Sequence, residues 1–200
     1  MKVLLVVFLA VAGCARGGDK LEVFGRSWTV PVASDWKIEG GVLHLVKARG
    51  PLPGPRRPVQ FALTDVGPYK QLTLEADVMA DGHSLLIVYA YRDEAHFDYA
   101  HISTDNGDAQ PMHNGMFHVY GGERMRISPG YGPPGLARSG RWVHVTFLHV
   151  VSTGSARVLE KGEELPALHA IDLSLGAGKV GVGSFDETGA FRNVKISVQR

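Results

Sequence analysis

Trp142-Val143-His144-Val145-Thr146-Phe147-Leu148-His149-Val150 sets apolar and polar side chains in near alternation. Successive side chains of an extended chain point to opposite faces, so this period of two is that of a strand with one face on a core. Leu72-Thr73-Leu74-Glu75-Ala76-Asp77-Val78 repeats it. Further strand candidates are 42–46, 85–91, 97–103, 115–120, 156–159, 179–185 and 191–198, and no stretch reads as a long amphipathic helix. Between these runs stand Gly40-Gly41, Asp81-Gly82, Asn106-Gly107, Gly121-Gly122 and the glycines of 176–178, residue types that accept the positive φ of tight reversals. Proline-rich stretches at 50–58 and 128–134 cannot continue a hydrogen-bonded ladder and read as surface loops. Many short strands without helical crossovers imply an all-β, antiparallel sandwich or barrel.

Two hundred residues suit a single sandwich domain, and 44% hydrophobic against 20% charged residues is an ordinary globular balance. A formal net charge of +1, with Arg56-Arg57 as the one dense basic spot, argues against nucleic acid as a partner. The first residues read as an export signal: Met1-Lys2 is a minimal basic start, residues 3–11 are unbroken apolar, and small residues follow. The stretch is too short to span a bilayer. Val11-Ala12-Gly13-Cys14 resembles a bacterial lipobox, and Cys14 is the sole cysteine. The expected organisation is a signal peptide at 1–13, a lipidated N-terminus and tether at 14–27, and the folded domain at 28–200. The expected location is exported and lipid-anchored to a bacterial membrane through Cys14, and Ala15 favours the outer membrane if the source is Gram-negative.

Three segments carry a family resemblance. Trp36-Lys37-Ile38-Glu39-Gly40-Gly41-Val42-Leu43 resembles the opening hairpin of the 3-keto-disaccharide hydrolase domain family, whose fold is a concanavalin A-like, laminin-G-like jelly roll. Gly178-Lys179-Val180-Gly181-Val182-Gly183-Ser184 and Phe191-Arg192-Asn193-Val194-Lys195-Ile196 are similar to its closing strands, and Arg141-Trp142-Val143-His144-Val145 to the tryptophan strand before them. The resemblance implies a jelly-roll sandwich that meets sugar on a concave sheet face. It also implies a departure: family members usually carry a His-Gly pair where this chain reads Phe185-Asp186-Glu187-Thr188-Gly189-Ala190, which weakens the activity more than the fold.

On 96–103, alternation puts Phe97, Tyr99, His101 and Ser103 on one side, opposite Ala100 and Ile102; on 85–92 it puts Ile87, Tyr89 and Tyr91 together. Tyr89, Tyr91, Tyr99, His113, Arg124 and Arg126 are therefore the expected glycan-binding residues, the rings stacking on sugar and the two arginines clamping an acidic sugar or sulfate. If the chain is a glycoside hydrolase, His101 is the expected acid/base, with Asp98 or Glu187 assisting. Glu75 and Asp77 share a strand face at a spacing that hydrolysis could use, but read more simply as the solvent face of an amphipathic β-ribbon. The nine histidines show no diagnostic ligand spacing, so no metal site is assigned. No cofactor is required; the acidic loops at 105–108 and 186–187 and the resemblance allow one structural calcium. Three functions are in play: a cell-surface carbohydrate-binding domain, a glycoside hydrolase, or a non-catalytic structural or protein-interaction lipoprotein.

Overall fold

The computed structural model describes residues 18–50 and 54–200, so the export signal, Cys14 and the first few residues of the expected tether lie outside the described residues. Strands are numbered in chain order. One sheet of eight runs β1 (Asp19–Val23), β2 (Arg26–Val30), β5 (Gln60–Thr64), β14 (Lys179–Ser184), β7 (Ser84–Asp93), β8 (His96–Ser103), β9 (Gly115–Tyr120), β10 (Glu123–Arg126). The other, of seven, runs β13 (Glu163–Ile171), β12 (Ser155–Glu160), β11 (Val143–Val150), β6 (Gln71–Ala80), β15 (Gly189–Gln199), β4 (Val42–Leu45), β3 (Trp36–Glu39). The pairings between these strands are antiparallel, and among the described residues helix is confined to single turns such as Ala33–Asp35 and Gln110–His113. The all-β, antiparallel sandwich expected from the sequence is thus the fold.

The alternation that marks β11 and β6 does what it requires. Val143, Val145 and Phe147 of β11 and Leu72, Leu74, Ala76 and Val78 of β6 turn inward, while Thr73, Glu75, Asp77, His144 and Thr146 turn outward. Against them pack Leu85, Ile87 and Tyr89 of β7, Ala100 and Ile102 of β8, and Val180 and Val182 of β14. β5, β7, β8 and β9 are buried on both faces, which is why β5 shows no alternation in its sequence. Pairing also begins earlier than Trp28: β1 starts at Asp19, inside the range read as tether. β1 and β13 escape the sequence reading because both are edge strands, polar enough to resist further pairing, and β13 carries Pro166.

One irregularity sets which side chains of β7 face the core. The β7/β8 register shifts between Tyr89 and Asp93, where Ala90 takes φ +50°, a left-handed conformation that a non-glycine residue seldom adopts. The bulge reverses the parity of β7, so Tyr89 faces inward with Ile87 whereas Tyr91 joins Leu86 and Val88 on the outer face.

Phe147 is fully buried, with its ring 4.8 Å from that of Tyr89 across the sandwich. Phe147→Ala is expected to lower unfolding free energy by about 3–5 kcal/mol, read as a shift in the denaturant midpoint without a change in slope.

Candidate functional site

The outer face of the eight-stranded sheet is a layer of rings. Phe61, Phe97, Tyr99 and Phe117 form a chain of aromatic contacts across β5, β8 and β9, with Tyr99 and Phe117 stacked at 5.3 Å. His101 continues the row, and Phe185, from the turn after β14, lies parallel to its imidazole at 5.9 Å. Above this end opens a cleft of about 410 Å³, lined by His83, Ser84, His101, His113, Arg124 and Glu187 together with Arg56, Asp105 and the 185–186 turn. Its size lies within the usual range of small-molecule sites.

Each wall is fixed by local chemistry. Glu187 Oε2 accepts the backbone N–H groups of His83 and Ser84 at 2.7 and 2.6 Å and lies 3.3 Å from Ser84 Oγ, tying the β14–β15 turn to the start of β7. Ser84 Oγ is hydrogen-bonded to His101 Nε2 at 2.8 Å. His113 Nδ1 lies 2.6 Å from Asp105 Oδ2, and His83 Nδ1 lies 3.5 Å from Asp105 Oδ1. Arg124 spreads its guanidinium over Phe117 and Phe185, 5.0 and 5.2 Å from their centres, and reaches Tyr99 Oη at 3.4 Å. Arg56 covers Phe185 at 5.2 Å and pairs with Asp186 at 3.1 Å. Among the described residues no carboxylate pairs with Arg124.

His101 is 2% exposed, and burial, helped by the charges of His113 and Arg124, pushes its imidazole down to about 3. It is therefore neutral at neutral pH, with Nδ1 buried and without a hydrogen-bond partner. The carboxylate stands beside the serine rather than behind the imidazole, so Ser84, His101 and Glu187 are not arranged as a nucleophilic triad.

The cleft gathers His101, Glu187, His113 and Arg124 from the residues expected in the sequence, with Tyr99 buried beneath Arg124. Four others stand elsewhere. Asp98 is in phase with Ala100 and Ile102, so its carboxyl turns into the sandwich, away from His101; burial raises it to about 6, opposed by its hydrogen bond to His118. Tyr89, carried inward ahead of the bulge, is a core residue rather than a sugar platform. Tyr91 is on the outer face but at its far end, against Phe61 and Phe97. Arg126 lies over Phe117 and donates to the carbonyls of Asn114, Ser128 and Pro129, stitching the 128–134 loop to β9. Glu75 and Asp77 lie on the outer face of the other sheet, where Asp77 is held by His144, Arg192 and Asn193. In the acidic loops considered for calcium, Asp105 faces imidazoles, Asp186 a guanidinium and Glu187 backbone N–H groups. The one group of three described side chains close enough to hold an ion is instead Asp98, His118 and Asp172.

Sequence reasoning passed over Ser84, His83, Arg56 and Phe185. The pairing Leu86↔His101 puts Ser84 on the same face as the imidazole, a relation legible only once β7 and β8 are paired. Arg56 and Phe185 arrive from loops distant in sequence and leave no local signal.

No family model matches this chain, and no curated protein does. The 3-keto-disaccharide hydrolase resemblance therefore rests on its motifs alone. Among solved structures the chain is similar to the carbohydrate-binding module CBM66 from Bacillus subtilis, at 14% identity over 69% of this chain and 81% of that one, with a TM-score of 0.55. It is also similar to a candidate glycosyl hydrolase from Parabacteroides distasonis, at 17% identity over 82% of this chain and 89% of that one, TM-score 0.56. A third is the xylan beta-1,4-xylosidase from Bacillus halodurans, at 12% identity over 84% of this chain but 35% of the enzyme, TM-score 0.57.

Unfolding would release His101 to its ordinary value near 6.5, so between that pH and about 3 the unfolded chain binds the proton that the folded one refuses. Stability conferred by the neutral imidazole is full above this window and falls as pH falls through it. His101→Leu is expected to flatten the loss of stability between about pH 6 and about pH 4 by about 1.4 kcal/mol per pH unit, one proton's worth, in denaturant titrations across that range. Two antiparallel sheets packed face to face, with these likenesses in fold, give this chain the fold of an antiparallel jelly-roll sandwich.

Proposed function

We propose that this domain binds a carbohydrate bearing a carboxylate or sulfate in the cleft at the His101 end of the eight-stranded sheet. Arg124 carries the reading. Its guanidinium is held flat by two rings, has no carboxylate partner among the described residues, and lines the cleft. A planar fork of donors kept rigid in this way suits an anionic group that presents two oxygens. Around it stand groups that read hydroxyls: His113 and His83 poised by Asp105, Ser84, and Glu187. The rings serve mainly to seat the arginines, because one face of Phe185 is taken by His101 and guanidinium groups cover the ring as well. The likeness in fold to a carbohydrate-binding module and to a candidate glycosyl hydrolase supports sugar as the carrier of that anion.

Titration calorimetry with uronate-containing and sulfated oligosaccharides, beside neutral ones, tests this. The expected result is binding of the anionic set that weakens as salt rises and falls about ten- to a hundredfold in Arg124→Ala. Equal binding of neutral sugars by wild type and variant would overturn it. A hydrolytic reading has one observation in its favour, the Glu187–Ser84–His101 chain of hydrogen bonds in the cleft. Product release from a 3-keto-glycoside that disappears in His101→Ala would replace binding by hydrolysis.

The proposal extends to a cell-surface setting, with the domain held to a bacterial membrane by a lipid on Cys14. Its support is the sequence Val11-Ala12-Gly13-Cys14 after the apolar run. Cys14→Ser is expected to move the protein from the membrane fraction to the soluble exported fraction; unchanged fractionation would end this part of the reading.

A further inference from the structure

The two residues that the fold removes from the cleft, Tyr89 and Asp98, meet inside the sandwich. Register pairs Tyr89 with Asp98 and Asp98 with His118, so β7, β8 and β9 each contribute one polar side chain to a row on the inner face. The opposite sheet answers with Asp172, directly after β13. His118 Nδ1 lies 2.6 Å from Asp98 Oδ1 and 3.2 Å from Asp172 Oδ2, and one ligating atom from each of the three lies within 4.8 Å of the others. Asp98 is 2% exposed and His118 7%; Asp172 is the outermost member, at 14% of its side chain, and marks the way in from solvent.

Three features set this cluster apart from an ordinary ion pair. Charge is the first: two carboxylates converge on one imidazole, no lysine or arginine pairs with either among the described residues, and even a protonated His118 leaves one negative charge uncompensated in a poorly solvated place. Orientation is the second. The Ser174 N–H and Oγ both engage Asp172 Oδ1, at 2.7 and 2.5 Å, which turns Oδ2 inward, the outer support that ligating carboxylates receive in metal sites. The third is the Tyr89 hydroxyl. It is wholly buried, without a hydrogen-bond partner, next in register to Asp98 and close enough to feel the charges of both Asp98 and Asp172. A phenol so placed among anions costs free energy unless something at the cluster uses it.

The geometry points to a divalent-cation site of the zinc class, ligated by Asp98, His118 and Asp172, with the unpartnered hydroxyl of Tyr89 on the neighbouring strand. A set of one imidazole nitrogen and two carboxylate oxygens suits zinc or a neighbouring first-row ion, whereas calcium calls for six to eight oxygens. Such an ion would join β8 and β9 of one sheet to the end of β13 in the other. It would act as a cross-link between layers, independent of sugar binding in the cleft.

The test uses the full chain after chelator treatment and dialysis, titrated calorimetrically with zinc chloride and followed by thermal unfolding. Expected are one equivalent bound and a melting temperature that climbs with zinc, the folded-to-unfolded ratio rising about a hundredfold once free zinc is about a hundred times Kd. Asp172→Asn should abolish both effects, whereas His144→Gln, which removes an exposed histidine on the far face, should leave them intact. If Asp172→Asn fails to fold, cobalt(II) added to the wild type provides the second reading: visible absorption bands of a low-symmetry site at one equivalent support the proposal. Absence of stoichiometric binding, or zinc binding undiminished in Asp172→Asn or lost equally in His144→Gln, would overturn it.

Discussion

An eight-stranded sheet that is apolar on both faces must be covered on both. Its inner face meets the seven-stranded sheet, but the outer face carries Phe61, Phe97, Tyr99 and Phe117, more ring surface than can be left to water without cost. The chain meets this constraint with arginines and loops in place of a third layer. Arg124 and Arg126 of the short edge strand β10, and Arg56 from a proline-rich loop, lie over Phe117 and Phe185, placing cations where bare aromatic surface would otherwise stand. The cleft exists because this cover is incomplete above His101.

The same requirement explains the electrostatics. Groups beneath the cover lose water, so the His101 imidazole is held neutral, while those at its rim have polar partners: His113 lies against Asp105, Arg56 against Asp186, and Glu187 accepts two backbone N–H groups. Arg124 is held by rings, with no carboxylate partner among the described residues. A cation oriented by its neighbours but not neutralised by them retains its attraction for an incoming anion.

Inside the sandwich, polar residues are costly, and their position follows from strand parity. Asp98 is in phase with Ala100 and Ile102, so its inward direction is legible from alternation, and the expectation that it assists His101 runs against the parity of its own strand. Tyr89 and Tyr91 differ in kind. They lie two apart, a spacing that in a regular strand means one face; the bulge at Ala90 separates them, and no glycine marks it in the sequence. β5 and β13 were illegible for opposite reasons, the first because both of its faces are buried and the second because an edge strand tolerates Pro166 and charge.

The sequence by itself determined the class of fold, the strands with one wet face, their turns, and the outward direction of Tyr99 and His101, because these depend on neighbours along the chain and on a period of two. It also marked Glu187, His113 and Arg124 as chemically apt. Tertiary structure alone decided that these three and His101 share one cleft with Ser84 and Phe185, and that Tyr89, Asp98 and His118 meet Asp172 across the layers. The physical reason is distance along the chain: strand register and loop closure bring together residues remote in sequence, and neither leaves a trace in the local pattern that periodicity reads.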